Sequence, residues 1–364
     1  MRLTFPRISF ALIAIALLSY AFVGAPHLEN ALAKRHDAAL QHTIALHKAT
    51  VPVQFPAAGT DFIGVTTSAG PADFTEVDKF TTAAGRQPSV MMFTQGWAVN
   101  TTFDRSAFDR IAARNMLPML SWEPWDYHDD TPDHNGVYPT QPKYRLSNII
   151  NGSFDSYIRS YAQGVKGLGY TIALRFAHEM NGFWYPWGAN VNGNQPGDYV
   201  KAWRHVHDVF ASVGATNVIW VWSPNIDYTS SVKLKPLYPG DAYVNWVGLS
   251  GYYGTAGLQH YETFNQIFNK TLKDLATFTN KPIIVSETAA TNQSGLRTQW
   301  IENLFKELPT HPNIIGFIWY EAVKELDWRI TSPPSAGKAF AAGAALPRFA
   351  ATWKPGMIAR TTVS

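Results

Sequence analysis

Eight short apolar runs, separated mostly by stretches of helical spacing, constrain the fold of this chain more than any other feature. They lie at Asp61 to Ser68, Ser89 to Trp97, Leu117 to Trp125, Thr171 to Asn181, Asn217 to Asn225, Trp246 to Tyr253, Pro282 to Ala290 and Ile314 to Glu321. Helical periodicity occupies Phe103 to Asn115, Phe154 to Leu168, Asp198 to Val213, Phe264 to Phe278 and Leu296 to Leu308. Runs too short to be helices, alternating with helices, imply parallel strands joined by crossovers. Eight such repeats predict an α/β protein built as a (β/α)8 TIM barrel, whose chemistry gathers at the C-terminal ends of its strands.

The fourth and seventh runs each carry a carboxylate near the C-terminal end. The fourth closes on Arg175-Phe-Ala-His178-Glu179-Met-Asn181-Gly182 and continues into Trp184 and Trp187; the seventh is Pro282-Ile-Ile-Val-Ser-Glu287. Glycoside hydrolysis commonly needs two such acids, one protonated for the leaving oxygen and one ionised for the anomeric carbon. Glu179 is the candidate general acid, since a partly desolvated carboxyl beside tryptophans keeps its proton. Glu287 is the candidate nucleophile. Arg175, four residues before Glu179 and on the same face by strand alternation, is placed to keep Glu287 ionised. Tyr252, ending the sixth run, is a hydrogen-bond donor for the same carboxylate. His178 and Asn181 are candidates for holding sugar hydroxyls, and Trp184 and Trp187 for stacking on a pyranose. Glu123, flanked by Trp122 and Trp125 at the end of the third run, is the rival carboxylate. Glu123 and Trp122 are expected to touch substrate, and Trp319 on the eighth run to floor the cleft.

Other chemistries fit less well. The net charge of +3 comes without a basic stripe, which argues against nucleic acid. The absence of cysteine removes disulfides, thiolate metal ligands and cysteine nucleophiles. His178-Glu179 would open a zinc site only with a second histidine at position 182, which is Gly182. The acidic loop around Asp129 has Thr131 at the first calcium-ligand position and Pro142 at the bidentate one, so no metal and no cofactor are expected.

The basic start followed by the apolar Ile8 to Ala25 reads as an export signal, or as a membrane anchor if it is not cleaved. Export would make the protein secreted or periplasmic. Residues 26–57 then form an N-terminal stalk, 58–346 the catalytic barrel and 347–364 a loosely ordered tail, with the segment from Tyr127 to Tyr144 walling one side of the mouth. A monomer is expected.

The motif His178-Glu179-Met180-Asn181-Gly182-Phe-Trp184-Tyr-Pro-Trp187-Gly resembles that of glycoside hydrolase family 26. The likeness extends over Asp61 to Arg329 and includes Trp122-Glu-Pro-Trp125, Trp220-Val-Trp222-Ser-Pro-Asn225, Tyr238-Pro-Gly-Asp241 and Ser286-Glu287-Thr288. It implies a retaining, endo-acting barrel hydrolase with Glu179 as acid/base and Glu287 as nucleophile, and with His178, Trp184 and Tyr252 arranging sugar and nucleophile. It also implies a neutral β-linked polysaccharide as substrate, first β-1,4-mannan, with mixed-linkage β-glucan and β-1,3-xylan as side branches. The chain departs from typical mannanases of the family in reading Phe176-Ala177 before the His-Glu pair, where they read Arg-Pro, and Trp319-Tyr320 on the last strand, where they read Trp-Arg or Trp-Asn. A non-catalytic exopolysaccharide-binding protein is the rival from a different class, and the presence of both acids argues against it.

Overall fold

The computed structural model describes residues 53–129, 140–254 and 260–362. The expected export signal, nearly all of the stalk and the middle of the Tyr127 to Tyr144 loop lie outside the described residues. A short strand β1 (Gln54–Phe55) precedes eight strands that close into a parallel barrel: β2 (Phe62–Thr67), β3 (Val90–Gly96), β4 (Leu117–Glu123), β5 (Ile172–Phe176), β6 (Val218–Trp222), β7 (Trp246–Ser250), β8 (Ile283–Thr288) and β9 (Ile314–Glu321). Each coincides with one of the eight apolar runs, trimmed where the run leaves the sheet. The helices are α1 (Thr75–Ala84), α2 (Arg105–Ala112), α3 (Leu146–Ile150), α4 (Asp155–Lys166), α5 (Asp198–Ser212), α6 (Phe264–Leu275), α7 (Arg297–Glu307) and α8 (Pro334–Ala344). Among the described residues no helix is long and apolar enough to cross a membrane.

Local signals set the helix starts. Asp104 accepts the Ser106 amide ahead of α2. Thr263 and Gln266 form a reciprocal capping box that satisfies two backbone donors at the start of α6.

Strand alternation divides the apolar side chains into two cores. Phe62, Met92, Met119, Ala173, Ile219, Val221, Ile284 and Ile318 fill the barrel, while the other face of each strand packs under the helices in a larger cluster rich in aromatic rings. The β7, β8 and β9 ladder carries register shifts, so residues there do not alternate simply.

The C-terminal segment differs from expectation. Residues 347–362 close the barrel at the N-terminal end of its strands and are not a loose tail. Phe349, Ala351 and Trp353 are buried, and a last strand β10 (Ile358–Ala359) pairs in parallel with β1. Trp246, the first residue of β7, donates its indole N–H to the Arg360 carbonyl at 2.7 Å. Arg348 reaches the buried Asp61 at 2.8 Å. The polar composition of this segment hid the few large apolar residues that anchor it.

Candidate active site

At the C-terminal mouth, β5 stops at Phe176 and the chain turns sharply. Ala177 and Glu179 sit at φ +44° and +54°, a left-handed conformation that costs a non-glycine residue on the order of 1–3 kcal/mol and persists only where surroundings enforce it. Here they do. The Glu179 amide donates to the Ser223 carbonyl at 2.7 Å, Tyr199 donates to the Ala177 carbonyl at 3.1 Å, and Trp187 donates to the His178 carbonyl at 2.6 Å. The turn aims Glu179 over the barrel. Arg175 and Glu179 do converge, with nitrogen and oxygen 3.9 Å apart, but the turn brings them together where alternation had been expected to.

Glu287 sits on β8, opposite Ser250 in the ladder. Its Oε2 accepts from Arg175 Nη1 at 2.9 Å, and its Oε1 accepts the Tyr252 hydroxyl. Arg175, only 1% exposed, also donates to Ser223 at 2.9 Å, Ser121 at 3.1 Å and Ser250 at 2.7 Å. A buried cation is tolerable only when paired and hydrogen-bonded on this scale. Gly248 beneath it has no room for a side chain, because a Cβ would come within 2.6 Å of the Ser223 hydroxyl.

Trp184 donates its indole N–H to Glu179 Oε2 at 2.7 Å. Burial raises the Glu179 pKa, the Glu287 charge raises it further, and Arg175 opposes both. One oxygen of Glu179, one of Glu287 and one ring nitrogen of His178 all lie within 4.8 Å of one another. These are donor types a divalent cation can take, but Arg175 and Tyr252 already supply the countercharge and donors to Glu287.

Glu123, ending β4, turns into the same space. Its Oε2 accepts from Trp125 Nε1 at 2.8 Å, and its Oε1 lies 3.8 Å from His178 Nδ1. Burial pushes its pKa up to about 8. Burial first, then Arg175, holds the His178 pKa well below its ordinary value, so the ring is neutral.

The structure thus brings Glu179, Glu287, Arg175, His178, Trp184, Tyr252 and Glu123 together, and four expected contact residues elsewhere. Trp122 is fully buried in the outer core against Tyr157, Tyr161 and Phe176, so it has no face for a sugar. Its neighbour Glu123 takes the inward position. Trp319 is equally buried, against Trp300 and Phe340, and Tyr320 faces the mouth in its place, packed on Tyr252 at 6.1 Å. Asn181 is buried and exchanges hydrogen bonds of 2.9 Å with the Asn225 backbone, tying the exits of β5 and β6. Trp187 is wholly buried and supports the turn. Sequence reasoning missed Tyr185, Tyr228, Tyr320 and Trp328. Tyr228 lies 5.7 Å from Trp184 and Trp328 lies 5.0 Å from Tyr252. Only Tyr185, inside the motif, and Tyr320, next to Trp319, carried a positional signal.

A closed eight-stranded parallel barrel with two carboxyls meeting at its C-terminal mouth is a frame suited to a glycosidase. The chain belongs to glycosyl hydrolase family 26, whose sequence profile matches residues 63–310. It is 33% identical over 291 residues to Endoglucanase H of Acetivibrio thermocellus, covering 76% of this chain and 30% of that protein. It is 23% identical over 299 residues to Beta-1,3-xylanase TXYA of a Vibrio species, covering 75% and 60%, and 24% identical over 245 residues to a mannan endo-1,4-beta-mannosidase of Bacillus subtilis, covering 60% and 62%. The chain therefore spans less than two thirds of each of these relatives. In fold it resembles the GH26 beta-mannanase BoMan26A from Bacteroides ovatus, with a TM-score of 0.58, 17% identity, and coverage of 80% of this chain and 90% of that one.

Proposed function

We propose that this chain is a retaining endo-β-glycanase acting on a neutral β-1,4-linked polysaccharide, with β-1,4-mannan as substrate. The observation that carries the proposal is the approach of Glu179 and Glu287, whose nearest oxygens lie within 4.8 Å. Retaining enzymes hold their carboxyls about 5–5.5 Å apart, whereas inverting ones leave about 6.5–9.5 Å for a water. Glu287 attacks the anomeric carbon, forming a bond to a carboxylate oxygen as the bond to the leaving oxygen breaks. Glu179 gives that oxygen its proton. Once Glu287 is esterified its charge is gone, and with it one of the causes that raise the Glu179 pKa. Glu179 then takes a proton from the water that releases the sugar.

A second reading, mixed-linkage β-glucan, is favoured by an identity to Endoglucanase H that is higher and spans more of this chain than that to the Bacillus subtilis mannosidase, and by Phe176-Ala177 and Tyr320, where typical mannanases differ. Reducing-end release on mannan, glucomannan, mixed-linkage glucan and β-1,3-xylan separates the readings. The Glu287→Ala variant should lose more than about a thousandfold in turnover on the substrate that is cleaved. Undiminished turnover in that variant would remove Glu287 from the mechanism. Tight polysaccharide retention with no cleavage products would favour a binding protein. We also propose export through residues 1–25, which N-terminal sequencing of the mature protein from its native host would test.

A further inference from the structure

We infer that Gln141 is a positioning residue for substrate binding, acting through the Trp125 indole that holds Glu123. The inference rests on the glycanase reading above. The chain leaving β4 turns at the rim, and Tyr127, His128 and Asp129 in that turn are exposed, so the turn has little buried surface of its own to fix it. A side chain from further along does so. Gln141 is 4% exposed. Its Oε1 accepts the Asp126 amide at 2.9 Å, and its Nε2 donates to the Asp126 carbonyl at 2.8 Å and the Asp129 carbonyl at 2.9 Å. Both amide hydrogens and the oxygen are thereby used, and a buried carboxamide satisfied in this way stiffens what it binds. Gln141 is itself moored, since its carbonyl accepts Asn192 Nδ2 at 2.9 Å. Further on, the Leu146 amide donates to Asn194 Oδ1 at 3.0 Å, and Asn194 Nδ2 donates to the Pro186 and Gly188 carbonyls beyond β5. The clamp therefore joins the exits of two neighbouring strands.

What the clamp aims is Trp125. The amide and carbonyl of Asp126 are bound to one carboxamide, so the peptide planes on either side of Asp126 are fixed. The first of these planes carries the Trp125 carbonyl, which accepts the Ala98 amide at 3.2 Å, and the Trp125 amide donates to the Glu123 carbonyl at 2.9 Å. With its backbone held on both sides, the ring packs edge-on to Tyr185 at 5.4 Å and Trp187 at 5.7 Å. Its Nε1 then donates to Glu123 Oε2 at 2.8 Å, which leaves Glu123 Oε1 turned toward His178 Nδ1 at 3.8 Å. The side-chain bonds of Gln141 all go to backbone atoms of the turn, so it acts on the site through Trp125.

The test separates positioning from mere stability. Steady-state rates are measured for the full chain, for Gln141→Glu and for Trp353→Ala, a destabilised control at the opposite pole, on mannohexaose and on a mixed-linkage β-glucan hexasaccharide, at a temperature where all remain folded. Glutamate keeps the shape but sets an oxygen against two carbonyls. Gln141→Glu should raise KM about tenfold on the hexasaccharide that is cleaved and change kcat by less than about threefold, while Trp353→Ala leaves KM unchanged. Gln141→Met, which keeps the length without the bonds, should act alike and serves if the glutamate variant does not fold. Trp125→Phe should raise KM as well, and Gln141→Glu should then add less than about twofold in that background. A KM within twofold of wild type despite a lowered melting temperature, a loss confined to kcat, or full additivity with Trp125→Phe would overturn the role of Gln141 while leaving the hydrolase intact. A wild-type chain that cleaves neither hexasaccharide nor any polysaccharide would instead overturn the glycanase reading, and this inference with it.

Discussion

Arg175 makes four hydrogen bonds from inside the barrel, and the charges around it decide which carboxyl holds a proton. The Glu287 charge is one of the causes that raise the Glu179 pKa, so Glu287→Gln should lower it. Carbon-13 NMR titration of Glu179 in that variant would read the shift, and an unchanged or higher pKa would contradict the coupling. Glu123 carries a stability consequence of defined sign. Its pKa in the folded protein is about 8, against 4.5 for the ordinary carboxyl, so the folded state binds the extra proton. Its contribution is fully present below about pH 4.5 and is lost as pH rises through about 8. Glu123→Gln should therefore melt about 3 °C or more above the wild type at pH 9, with the gap closing toward pH 4.5. A gap that widens on acidification would contradict the sign. The meeting of Glu179 and Glu287 at the mouth was legible because each lies near the end of an apolar run. The errors at Trp122 and Trp319 came from phase: composition marks an aromatic strand end but does not say which side of the strand faces the mouth.

At the scale of elements, the loop between β9 and α8 shows how a site is braced from behind. Arg297, at the start of α7 and 1% exposed, donates to the carbonyls of Asp327, Arg329 and Ser332. Glu321 accepts the Ile330 amide at 2.8 Å, and Trp319 donates to the Trp328 carbonyl at 3.0 Å. Together they fix Trp328 against Tyr252, the donor to Glu287. Arg297→Met strands three carbonyls and should cost about 3 kcal/mol in urea unfolding. Its turnover should fall as well, because Trp328 loses its support. Normal stability would mean that the carbonyls find other partners. None of this bracing was legible, since its members are spread over three elements and most of the acceptors are backbone atoms. The eight strands were legible because each is a bounded apolar run of its own.

At the scale of the whole molecule, the candidate site and the closing segment occupy opposite ends of the barrel. Trp353 fills the end remote from the carboxyls, among Phe55, Phe62 and Trp246. Trp353→Ala should cost about 3–5 kcal/mol of stability while leaving kcat on the cleaved polysaccharide within about twofold at temperatures where the variant stays folded. A large drop in kcat would show that the two ends are coupled. The barrel could be counted from sequence; its stopper could not, because a few anchors separated by polar residues show no period. The pairing of β1 with β10 also has a practical side. The described chain enters and leaves at one pole, so a bead or surface coupled beyond residue 362 grips the protein by its base and leaves the mouth open to long or insoluble chains.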